Sequence, residues 1–169
     1  MAAEDPRAEV PVAFAVDKML GRLARWLRIL GHDVAYGPHL SGCTLAQCAR
    51  RDGRLLLTRD TRLLRDPNLP PHVFVRSDHF REQLRQVAAT VPLGAGFLAR
   101  CLDCNRALEP RTKAEVAGRV PVHVERTQDR FLACPGCGRL YWPATHRTHM
   151  RAELEALGLG DVAEEPGRA

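Results

Sequence analysis

The sequence predicts an α/β protein in which helices flank a parallel sheet, followed by a small module held by four cysteines. Two patterns carry this expectation. Between residues 12 and 91, short apolar runs of strand length alternate with segments of helical apolar spacing. That order builds a parallel sheet covered on both faces. From residue 97 to about 145 the chain is instead cysteine-paired, spaced by prolines and poor in helix signals.

Taken in order, "VAFAVD" (12–17) reads as a short buried strand. Residues 18–30 place Met19, Leu20, Leu23, Ala24, Leu27 and Leu30 at helical spacing, with Trp26 flanking that face and Arg22, Arg25 and Arg28 on another. Gly31 is a natural stop. "DVAY" (33–36) reads as a second strand, and "TLAQCARRDG" (44–53) as a helix capped by Thr44. "RLLLTRD" (54–60) is a third strand and "TRLLRD" a short helix. "HVFVRSD" (72–78) is a fourth strand, and "HFREQLRQVAATV" (79–91) a helix with Phe80, Leu84, Val87 and Ala88 apolar. In the second half, "VPVHVE" (120–125) has strand character, and residues 146–158 fit a closing helix. We expect a first domain over 10–95, a second over 97–155, and disordered tails at 1–9 and 159–169.

Bulk properties narrow the function classes. The 169 residues are 45% hydrophobic, enough for a globular core, yet contain no run of 18 apolar residues that could span a bilayer. "MAAEDPRAEV" carries acids and lacks the apolar stretch of a secretory signal, so a cytoplasmic protein without membrane partners is expected. The net charge is +5, and the only lysines are Lys18 and Lys113. Arginine suits phosphate because its planar fork donates two hydrogen bonds at once, although a codon bias gives the same excess. The balance permits a nucleic-acid partner without requiring one.

Asp17, Asp60 and Asp78 each end an expected strand. Ligands of open α/β sheets bind beyond the carboxyl ends of strands. Converging carboxylates repel one another and call for a cation, and their hard oxygens suit Mg²⁺ or Mn²⁺. Such an ion can activate water against a phosphodiester. Helix capping is the competing role, since Asp17 and Asp60 both precede helices. Arg22 and Arg25 lie one to two turns past Asp17, and Arg59 is next to Asp60, within reach of an RNA phosphate; solvation at the surface is the alternative.

"CLDC" (101–104) and "CPGC" (134–137) make a CxxC…CxxC pattern with 29 residues between the pairs. Cys101, Cys104, Cys134 and Cys137 can complete a tetrahedral, structural Zn²⁺ site; a redox dithiol pair is the alternative. Asn105 and Gly138 follow the two knuckles, where tight turns favour such residues. Tyr141 and Trp142 stand beside Arg139, His146, Arg147 and His149. Trp142 can stack on an unpaired RNA base, or the aromatic pair can pack the module onto the first domain.

The segments "VDKMLGRLARWLRILGHDV", "GRLLLTRDTRLL", "VRSDHFREQLRQV", "CLDCN" and "CPGCGRLYWPATH", in this order, resemble the Mut-7 C-terminal RNase-domain family over residues 12–155. The resemblance implies a PIN-like nuclease domain with a C-terminal zinc ribbon, and metal-dependent RNA cleavage through acids matching Asp17, Asp60 and Asp78. The chain departs from the family pattern in one place. Members carry one or two acids just before the second helix, whereas no Asp or Glu lies between Asp33 and Asp52 here. Ser41, Cys43 and Gln47 are poor substitutes on a hard cation. A metal-dependent ribonuclease is therefore expected. The alternatives are a catalytically weakened RNA- or ribosome-binding protein and a protein-interaction module using the ribbon.

Overall fold

The computed structural model describes residues 12–143 and 145–160, and the expected tails fall almost wholly outside them. Four short strands form a parallel sheet: β1 (Phe14–Val16), β2 (Val34–Ala35), β3 (Leu55–Thr58) and β4 (His72–Phe74), in the order β2-β1-β3-β4. Phe14, Ala15 and Val16 register against Leu55, Leu56 and Leu57. Alternation sorts their side chains: Phe14, Val16 and Leu57 enter one cluster, Ala15 and Leu56 the other. Helices α1 (Gly21–Ile29) and α3 (Phe80–Ala88) cover the first face through Leu23, Leu27, Leu84 and Val87. Helix α2 (Gly42–Arg51) covers the second through Leu45 and Ala49.

Three details differ from the expectation. Helix α2 starts at Gly42 with Ser41 as its N-cap; Thr44 sits inside the first turn and its hydroxyl oxygen accepts from the Ser41 N–H at 3.1 Å. The short helix after β3 is a single 3₁₀ turn, Leu63–Arg65. Strand β4 ends at Phe74; Val75 still donates to the Thr58 carbonyl at 2.9 Å, but the next N–H, that of Arg76, goes to the Gln86 side chain, which also donates to the Phe74 carbonyl. Asp78 thus lies four residues past the strand end.

The second half contains a three-stranded antiparallel sheet, β5 (Glu109–Arg111), β6 (Phe131–Ala133) and β7 (Leu140–Tyr141), in that order. Between β5 and β6 lie two short helices, α4 (Lys113–Val116) and α5 (Val122–Thr127). Helix α5 replaces the strand read at 120–125. A strand would turn Val120, Val122 and Val124 to one side; here Val124 of the helix and Val120 just before it face the small ribbon core, while Val122 is 64% exposed. Helix α6 (Thr145–Ala156) closes the chain.

The two halves share one core. Phe97 and Leu98 from the linker, Leu102 from the first knuckle, and Leu154 and Leu157 from the closing segment join Phe14, Leu27 and Leu84 in a single cluster. The linker also caps α1: Ala95 and Leu98 donate to the Leu30 and Ile29 carbonyls at 2.8 and 2.7 Å. Gly31, at φ 86°, permits this approach, since a Cβ there would lie 2.2 Å from the Gly96 carbonyl oxygen. No helix among the described residues is long and apolar enough to cross a membrane.

Candidate active site and metal centre

The strand order reverses direction between β1 and β3: β2 lies outside β1, β4 outside β3. Doubly wound sheets open a crevice at that reversal, at the carboxyl ends of the strands. Asp17 follows β1 there, almost fully buried at 4% exposure, and caps the 3₁₀ turn Lys18–Leu20. Thr58, the last residue of β3, donates its hydroxyl to Asp17 Oδ2 at 2.9 Å. Thr58 Oγ1 in turn accepts the Asp60 N–H at 3.0 Å. Thr58 therefore joins the two acids. A cleft of about 270 Å³ opens here, bordered by Asp17, Asp60, Lys18, Ser41, Arg59 and Arg62.

Asp60 both caps and pairs. Its carboxylate accepts the Arg62 N–H at 2.9 Å and a two-point contact from the Arg62 guanidinium at 3.0 Å. That guanidinium holds the Asp60 carboxyl below the usual carboxylate range, so it is ionised at neutral pH. Asp78 is not in this cleft. Its side chain is 85% exposed, is ion-paired with Arg59, and borders a neighbouring depression of about 400 Å³. Arg59 also donates to the Ser77 carbonyl at 2.8 Å. Among the described residues, no three carboxylates bring oxygens within 4.8 Å of one another.

The arginines of α1 divide. Arg22 and Arg25 are exposed. The Arg22 guanidinium lies 3.8 Å from the Phe80 ring centroid, and Phe80 stacks on Trp26. Arg28, grouped with them by spacing, is buried at 6% exposure. It donates to the carbonyls of Leu102 (2.8 Å), Asp103 (2.9 Å) and Val34 (2.9 Å). Burial lowers its pKa, and the nearby cysteines and Asp103 oppose that shift.

Cys101, Cys104, Cys134 and Cys137 present four sulfurs within 4.8 Å of one another. A tetrahedral Zn²⁺ with ~2.3 Å bonds needs sulfurs about 3.8 Å apart. Cys101 and Cys137 stand at 3.7 Å and Cys104 and Cys134 at 3.0 Å, so four thiols of the type that binds zinc are gathered close enough to hold such an ion. The knuckles are built alike. Asn105 and Gly138 adopt φ of 67° and 71°, and donate to the Cys101 and Cys134 carbonyls at 2.9 Å each. Burial pushes the Cys101 thiol up, but backbone N–H groups of Cys104 and Asp103 and the Tyr141 hydroxyl outweigh it and bring it to about 6. The Cys104 thiol, bonded to Cys134, is pushed up to about 12. A four-thiolate shell leaves no open position for catalysis.

A family model, the Mut7-C RNAse domain, matches residues 12–154. The chain belongs to the Mut7-C family. No curated protein and no solved structure matches it. Membership points to a ribonuclease-type function, and the four cysteines form a centre able to hold a metal such as zinc.

Within this Mut7-C chain the knuckle also grips the sheet. The Asn105 side chain accepts the Val34 N–H at 2.9 Å and donates to Asp33 at 2.7 Å. Tyr141 donates its hydroxyl to Cys101 Sγ at 3.2 Å and packs on the shared core. Trp142 instead packs half-buried on the ribbon's own core. The His146 side chain lies outside the described residues. Two residues of the site, Thr58 beneath the cleft and Lys18 on its border, escaped sequence reasoning. Thr58 read as one more β-branched strand residue, and Lys18 stood out only as one of two lysines in an arginine-rich chain.

Proposed function

We propose that the chain is a metal-dependent ribonuclease that cleaves within single-stranded RNA, with structural zinc in its four-cysteine centre. The observation that supports this is the joining of Asp17 and Asp60 through Thr58 at the reversal of strand order. A Mg²⁺ or Mn²⁺ ion on these two carboxylates would supply an activated water and offset charge at phosphorus. The protein's own part is positioning. Thr58 fixes the Asp17 carboxylate, while Lys18 and Arg59 attract the phosphate. Arg22 and Arg25 hold the flanking backbone, and Asp78 orients Arg59. A cleft of this volume admits a nucleotide rather than a duplex.

The test is cleavage of a labelled single-stranded RNA with and without EDTA. EDTA abolishes cleavage, and Asp17→Asn and Asp60→Asn each lower it by about a hundredfold or more with folding intact. Unchanged turnover in both variants discards the reading. The acid count favours a second reading. With Asp78 outside the cleft and no acid at the start of α2, two carboxylates face the cleft. A protein that binds RNA or ribosomes without cleaving fits that arrangement. It predicts salt-sensitive RNA binding and no metal-dependent turnover in the same assay.

A further inference from the structure

Beside the cleft, on the far side of the exposed Met19, lies the depression of about 400 Å³ between α1 and α3. Arg22 reaches it from α1, and Arg81 and Arg85 from α3. The Phe80 ring forms its floor and fixes two of these cations: Arg22 stands 3.8 Å and Arg81 5.3 Å from the ring centroid. The acids on its border are engaged elsewhere, Asp78 with Arg59 and Glu82 with the Ser77 hydroxyl. One further carboxylate comes from a distant part of the chain. Glu153 of α6 forms a two-point ion pair with Arg81, one contact at 3.0 Å. Arg81, then Arg22 and Arg85, also hold the Glu153 carboxyl below its usual range, so all three cations act on one anionic position.

A planar anion gripped by a guanidinium fork beside two more arginines has the geometry of a phosphate contact. We propose that this depression is a subsite for a backbone phosphate of a single-stranded RNA lying in the adjoining cleft, and that Glu153, which lies outside the depression but pairs with Arg81 on its border, competes for that guanidinium until RNA displaces the carboxylate. The subsite rests on the ribonuclease reading for the course of the strand, but not on catalysis. The aromatic floor and the restricted cleft favour a single strand over a duplex.

The experiment is fluorescence anisotropy of a fluorescein-labelled single-stranded RNA with the zinc-loaded full chain across a salt series. Arg85→Ala, an exposed change that leaves the core alone, weakens binding by up to about fivefold. It also lowers the salt slope by about 0.7, the value of one single-strand phosphate contact. Glu153→Gln has the opposite sign and tightens binding by a similar factor. Lys113→Ala, the same charge loss on the ribbon, changes neither quantity. Equal affinity and slope in wild type and Arg85→Ala overturn the subsite. Weakened or unaltered binding in Glu153→Gln overturns its role as competitor for Arg81. A wild-type chain that binds no RNA, or binds duplex more tightly than single strand, also overturns the proposal. Parallel cleavage assays separate the two ideas. Metal-dependent turnover with unchanged Arg85→Ala affinity leaves the nuclease reading standing alone, while the binding pattern without turnover leaves only the subsite.

Discussion

Thr58 is fully buried, and its one hydroxyl gives its hydrogen to Asp17 while taking another from the Asp60 backbone. Thr58→Val keeps the shape and removes both links, leaving a buried carboxylate oxygen without its donor. We expect a loss of about 1–3 kcal/mol in urea denaturation. We also expect a fall in kcat larger than any change in KM, with Thr58→Ser restoring both. Sequence patterns did not reveal this residue because its role depends on the register of β1 against β3, which no local periodicity encodes. The depth of Arg28 was hidden for the same reason. The residue falls on the polar stripe of α1, but two of its acceptors lie 74 and 75 residues further along the chain. Replacing it with Met leaves three carbonyls without that donor, and a destabilisation of about 2–4 kcal/mol is expected by the same measurement.

At the level of elements, α1, β1 and the linker are joined through His32 and Gly31. His32 is buried there; its Nε2 accepts the Gly94 N–H at 3.1 Å, so Nδ1 carries the hydrogen and donates to the Val12 carbonyl at 2.9 Å. Burial lowers its pKa below the ordinary 6.5. The unfolded chain therefore takes up the proton first. Stability from this site is complete above about 6.5 and is lost as pH falls through that value. In zinc-saturated protein, the stability advantage of wild type over His32→Gln should shrink between pH 8 and pH 6. Gly31→Ala places a methyl group against the Gly96 backbone at positive φ, and more than about 2 kcal/mol should be lost. The strand–helix alternation of the first half was legible because unbroken apolar runs of strand length give way, at each junction, to apolar residues three or four apart. Strand character at 120–125 was not reliable. "VPVHVE" alternates like a strand, but Val122, which a strand would turn the same way as Val120 and Val124, is left in solvent by the helix that starts there.

Across the whole molecule, the cysteine spacing announced a four-sulfur centre because paired knuckles leave a mark in sequence. Its grip on the sheet left none. Asn105 takes the N–H of Val34 at the sheet edge, and Arg28 takes the carbonyl. Stripping the metal with a chelator should speed amide exchange at Val34 as well as throughout the ribbon, while β3 keeps its protection. Exchange confined to the ribbon would show that the grip survives without the ion. The composition hinted at nucleic acid through arginine, but not at which arginines face solvent, since charge alone carries no information about depth.

The long separation between Arg28 and its acceptors also sets a timetable for synthesis. A nascent chain that has just emitted α1 holds a guanidinium whose final acceptors do not yet exist. At typical elongation rates the ribosome needs about 4–15 s more to deliver them. Until the first knuckle emerges, the early half cannot close over that charge. A gene fragment ending at residue 95 should for this reason give aggregated product, however complete its sheet looks on paper.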